Sequence, residues 1–154
     1  MFASLTALNA QGRQENFPLP SNPDTLRILA VGNSFSDDGT EYLPGLLEAA
    51  GIHNVIVARL YIGGCSLERH CEEYSEGLHN YIYFKSTKNK WETVSKSASL
   101  LDGLKDEPWD IITMQETSGR SGLYETYHEW IPRLVSIIRS ETCLLYTSDA
   151  ADEL

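Results

Sequence analysis

The sequence predicts one α/β domain built on a parallel sheet, and three observations carry that prediction. Three short, nearly continuous apolar runs, Leu26 to Val31, Val55 to Leu60 and Trp109 to Met114, suit strands covered on both faces. Stretches with apolar residues at helical spacing lie between and after them. Each run stops at a polar loop that contains glycine.

Taken in order, residues 11–25 are polar, carry Pro18, Pro20 and Pro23, and read as an extended lead-in. The first strand ends at Gly32, where a loop rich in turn formers runs to Gly39. Thr40 is expected to cap a helix that carries Leu43, Leu46, Leu47 and Ala50 and stops at Gly51. Pro44 falls in its first turn, where proline is least harmful. With the second strand this makes a βαβ unit, whose crossover should be right-handed. Residues 61–80 read as a long loop, with or without a short helix. Tyr81–Ser86 and Trp91–Ser95 read as a hairpin, and Ser97 to Lys105 as a short helix. After the third strand and a loop from Gln115 to Gly122, Leu123, Tyr127, Trp130, Ile131, Leu134 and Ile138 share one helical face. Pro132 interrupts that pattern, so the helix is expected to kink or begin nearby.

Length and composition bound the function. A chain of 154 residues, 42% of them apolar, suits a single folded core. Its net charge of -10 disfavours nucleic acid and anionic membrane as partners. No apolar run is long enough to span a bilayer. Residues 2–10 are apolar and rich in small side chains, like the end of a clipped signal peptide, which points to a secreted or periplasmic protein. The tail at 143–154 matches nothing before it and reads as translated adapter sequence. Cys65, Cys71 and Cys143 are an odd count and give no closed disulfide framework, although Cys65 and Cys71 can pair in an exported protein. Cys65, His70, Cys71 and His79 match no zinc-ligand spacing, so neither metal nor other cofactor is expected.

In an open parallel sheet, ligands bind beyond the carboxyl ends of the strands. Three loops leave those ends: one holds Ser34, one Gly63-Gly64-Cys65-Ser66, and one Gln115-Glu116-Thr117-Ser118-Gly119. Ser34 follows a strand directly, a position from which a serine can act as nucleophile once a base takes its proton. Gly64 offers an N–H with no side chain in the way, and Gln115 a carboxamide; both suit an oxyanion hole. Each residue also has a plain structural use, as a cap, a tight bend or a loop partner. Their expected meeting on one rim favours the chemistry.

These residues resemble the SGNH (GDSL-like) hydrolase superfamily. Arg27-Ile28-Leu29-Ala30-Val31-Gly32-Asn33-Ser34-Phe35-Ser36 is similar to its first block, with Asn33 in place of the usual aspartate. Tyr61-Ile62-Gly63-Gly64-Cys65-Ser66-Leu67-Glu68 is similar to the second. Trp109 to Glu116 stands at the third, with Gln115 replacing an asparagine. The set, with Ser118 to Gly122 and Tyr124-Glu125-Thr126-Tyr127, resembles a domain-of-unknown-function branch of that superfamily, over residues 26–142.

The resemblance implies a three-layer, flavodoxin-like α/β/α fold, of which three of five strands are expected here. It implies an esterase or acyl hydrolase with Ser34 as nucleophile, Gly64 and Gln115 in the oxyanion hole, and a small acylated substrate such as a carbohydrate ester. It also implies a carboxyl-terminal Asp-x-x-His block, and this chain has none. The fragment is therefore expected to be inactive by itself; His70, the histidine nearest the rim, reads as a loop histidine, with a role as substitute base as the alternative. The alternative is a non-catalytic glycan-binding module on the same fold, using Tyr61, Tyr124 and Trp130. A flavodoxin-like nucleotide module fits less well, because Asp37-Asp38 would repel phosphate. Oligomeric state is left open.

Overall fold

In a computed structural model of the protein, residues 25–142 are described, together with two three-residue strands, β1 (Thr6–Leu8) and β2 (Gln14–Asn16), which pair antiparallel. The leader-like segment and lead-in expected over 1–25, and the tail at 143–154, otherwise lie outside the described residues.

The main sheet has five strands: β3 (Leu26–Gly32), β4 (Val55–Tyr61), β5 (Tyr81–Thr87), β6 (Lys90–Ala98) and β7 (Ile111–Met114). Their spatial order is β6-β5-β4-β3-β7. β3 pairs in parallel with β4 and with β7, as the three apolar runs predict. The sheet is nevertheless mixed and not all-parallel, because β5 and β6 join it antiparallel beyond β4. The hairpin expected near residue 88 therefore supplies two strands of the main sheet. Its turn has Lys88 at φ 53° and Asn89 at φ 60°, and two positive φ values match the right-handed twist of a two-residue hairpin.

Helices cover both faces. On one face lie α1 (Ser34–Thr40) and α2 (Leu43–Ala49); on the other lie α3 (Leu67–Ser75), α4 (Leu100–Asp106) and α5 (Tyr124–Glu141). Strand alternation sorts the side chains. Leu29, Val31, Ala58 and Leu60 point into a core completed by Leu67, Leu100, Leu104, Leu134 and Ile138. α4 lies so close to β4 that a Cβ on Gly103 would fall 2.5 Å from the Leu60 side chain. Ser99 begins α4 with a capping box closed by Asp102.

On the opposite face, Arg59 is buried under α1. It pairs with the Asp37 carboxylate, donates to the Asp37 carbonyl at 3.0 Å, and lies 3.7 Å from the Trp91 ring centroid. β7 forms the far edge, and its Ile111 is 45% exposed.

Three local expectations change. The segment after Gly32 is helix α1 and not a loop, because Asn33 caps it through its side chain and Arg59 holds Asp37. Thr40 accordingly does not cap α2; its hydroxyl donates to the Ser36 carbonyl at 2.6 Å, inside the last turn of α1. α5 runs unbroken through Pro132, which sits on its exposed side. No helix among the described residues is long and apolar enough to cross a membrane.

Candidate active site

The register of the parallel strands sets the rim. Gly32 stands beside Tyr61, and Val31 beside Met114, so β3, β4 and β7 end together. The backbone stays paired just past those ends. Ile62 N–H donates to the Gly32 carbonyl and Gln115 N–H to the Val31 carbonyl, both at 3.1 Å. Gly32 has no room for a side chain, since a Cβ there would lie 2.0 Å from Ser36 Oγ and 2.9 Å from Gln115 Cβ. Gly32→Ala is therefore expected to push α1 away from the β7 loop. A loss of about 1–3 kcal/mol is expected in denaturant unfolding.

The side chain at the centre is Asn33, only 2% exposed. Its Nδ2 donates to the Cys65 carbonyl at 2.9 Å and to the Glu116 carbonyl at 3.1 Å. Its Oδ1 accepts from Phe35 N–H at 3.0 Å. One amide thus joins the three loops. Ser34 follows Asn33, Gly64 precedes Cys65, and Gln115 precedes Glu116, so the three expected site residues flank the three residues that Asn33 connects.

Ser34 is exposed and opens α1. Gly64 is exposed at φ 63° in a turn closed by Cys65 N–H on the Ile62 carbonyl, and that left-handed backbone is where glycine is preferred. Gln115 is half-buried. Among the described residues, the Ser34 hydroxyl, the Gly64 N–H and the Gln115 carboxamide carry no hydrogen-bond partner. A family model for a domain of unknown function, DUF4886, matches residues 27–144. The chain belongs to the DUF4886 family.

A solved relative extends this. The crystal structure of a DUF4886 family protein from Bacteroides uniformis ATCC 8492 is similar at 41% identity and a TM-score of 0.72. The match covers 77% of this chain and 46% of the relative, so the chain spans less than half of that protein's length. No curated protein matches the chain.

The DUF4886 chain does not bring a histidine to Ser34 within the described residues. His70, weighed above as a substitute base, is fully buried on α3 and turned into the core. Its Nδ1 hydrogen-bonds with the Tyr81 hydroxyl at 2.7 Å and lies 3.5 Å from Cys65 Sγ. Burial holds its imidazole down at about 4, and the Arg69 charge adds to that. His53 is exposed before β4, at the sheet end opposite the rim. His79 faces Asp102 at 3.5 Å, and His128 lies against Tyr124 on α5.

Cys65 and Cys71 are buried free thiols, not bonded to each other. Burial raises Cys65 to about 12 and Cys71 to about 11, so neither competes with Ser34 as a nucleophile near neutral pH.

Sequence reasoning singled out Gln115 and passed over its neighbour. Glu116 is 1% exposed, and its Oε1 accepts from Thr117 N–H at 2.7 Å and from Leu67 N–H at 3.3 Å. A glutamate in a short polar loop looks solvated in sequence, and only the packing of α3 over it reveals the burial. The aromatic residues of the glycan-binding alternative are not gathered on one surface. Tyr61 packs edge-on against Phe84 on the α1 face, whereas Trp130 packs against the core on the α5 face.

Proposed function

We propose that this DUF4886 chain carries the serine and the oxyanion hole of an SGNH-type ester hydrolase. The observation that supports the reading is the group of three polar functions without a partner among the described residues, at Ser34, Gly64 and Gln115, set around one buried amide at the carboxyl edge of the parallel strands.

In this reading, Ser34 Oγ attacks the acyl carbon of an ester as a base takes its proton. The carbonyl oxygen becomes an oxyanion, held by the Gly64 N–H and the Gln115 carboxamide. The alcohol leaves with a proton, and water then releases the acid from the acyl-serine. The base has to come from residues outside those described, which agrees with the histidine block the superfamily resemblance implies. The substrate is a small acylated molecule, with acyl carbohydrate as the leading class, and the protein acts outside the cytoplasm.

Labelling tests the reading. A fluorophosphonate applied to the protein expressed from its full reading frame should modify Ser34, located by peptide mass spectrometry. Equal labelling of wild type and Ser34→Ala would end the proposal. Gln115→Ala is expected to lower kcat about a hundredfold, the usual cost of one oxyanion donor, with KM little changed. A normal kcat would remove Gln115 from the oxyanion hole.

A further inference from the structure

Two buried polar side chains sit at the centre of the rim without touching where a substrate would react. Asn33 has two amide donors, and both are used on the loops that carry Gly64 and Gln115. Its single acceptor is used on Phe35 N–H, in the first turn of the helix that Ser34 opens. Glu116 closes the other side. Its Oε1 accepts from Leu67 N–H, which opens α3 directly after the Gly64 turn, and from Thr117 N–H in its own loop. An oxygen acceptor suits that place because the first N–H groups of α3 have no partner within the helix. The other oxygen of Glu116 is buried without a partner among the described residues, so the side chain is held wholly by these loop amides.

We infer that Asn33 and Glu116 are positioning residues that lock the start of α1 at Ser34 and the Gly64 and Gln115 loops into one register. The catalytic consequence rests on the hydrolase reading, whereas the lock itself does not. The geometry also explains why residue 33 is an amide here and not a carboxylate. The carbonyls of Cys65 and Glu116 both need a donor. Aspartate would aim a carboxylate oxygen at two carbonyl oxygens, in a buried site that already holds the Glu116 carboxylate. An oxyanion hole split across two loops needs such a lock, since a displacement of about 1 Å at a reacting centre can cost about a hundredfold in rate.

The test uses the protein expressed from its full reading frame, with Asn33→Asp, Glu116→Ala and Glu116→Gln. Two readouts are taken: steady-state ester hydrolysis, and hydrogen exchange at the Phe35, Leu67 and Thr117 amides. Asn33→Asp and Glu116→Ala are expected to lower kcat by about a hundredfold with KM little changed, and to speed exchange at those amides. Glu116→Gln keeps an oxygen where Oε1 lies, and should restore most of both.

Wild-type kcat and exchange in Glu116→Ala would overturn the inference, as would failure of Glu116→Gln to do better than Glu116→Ala. If Asn33→Asp does not fold, the Glu116 pair decides alone. If the wild type neither hydrolyses esters nor labels at Ser34, the hydrolase reading fails and exchange decides the lock. Faster exchange in Glu116→Ala than in wild type then supports it, and unchanged exchange overturns it.

Discussion

On the proposed hydrolase reading, replacing Ser34 with alanine is expected to lower ester hydrolysis by the full-length protein by about three orders of magnitude or more, while the fold is left intact. The separation of the two effects follows from where the residue sits. Ser34 is exposed at the first position of α1, and its hydroxyl has no partner among the described residues. The capping that starts α1 belongs to Asn33, whose side chain accepts from Phe35 N–H. Removal of one exposed oxygen should therefore shift unfolding by no more than about 0.5 kcal/mol. Hydrolysis of p-nitrophenyl acetate and urea unfolding, measured on the same samples, check both halves. A Ser34→Ala protein that keeps a rate within about tenfold of wild type is not consistent with a serine nucleophile at this position.

The second large effect is acid lability centred on His70. The imidazole is neutral in the folded protein because burial holds it at about 4, against an ordinary value of 6.5. The unfolded chain therefore binds a proton that the folded chain refuses throughout the window between those two values. Stability is complete above the upper end of the window and falls as pH drops through it. The linkage amounts to about 2 kcal/mol by pH 5 and about 3 kcal/mol by pH 4. Protonation also places a charge beside the Tyr81 hydroxyl and the Cys65 thiol, with Nε2 already buried and without a partner among the described residues. Urea unfolding of wild type and of His70→Gln between pH 7 and pH 5 isolates this contribution from the carboxylates. The wild type should lose about 2 kcal/mol more than the variant over that range, and parallel pH curves would show that His70 does not titrate as its burial demands.

How far the site was legible depended on the kind of signal. The strands β3 and β4 were readable because a strand covered on both faces must be apolar along its length, as Leu29, Ala30, Val31, Val57 and Ala58 are, and β7 was readable from a similar apolar run although it is a half-exposed edge. The hairpin was readable from its turn, but its place was not. Nothing in Tyr81 to Ala98 states that this pair lies antiparallel against β4, which depends on side chains from another part of the chain, such as Arg59 under Trp91 and Phe84. Helix α1 was hidden because its sequence, Ser-Phe-Ser-Asp-Asp-Gly-Thr, has the composition of a loop. The ion pair to Arg59 and the cap from Asn33 overrule that local preference.

The sequence by itself determined the α/β class, the order of the parallel strands along the chain, and which three loops leave their carboxyl ends. Those features follow from periodicity and turn chemistry, which are local. Only the tertiary structure decided that the sheet is mixed, that His70 faces the core and not the rim, and that Asn33 and Glu116 are buried between the loops. Each of these turns on the desolvation of a polar group, or on strand pairing between segments far apart in sequence. Burial is a property of what packs against a residue, and no residue carries that information alone.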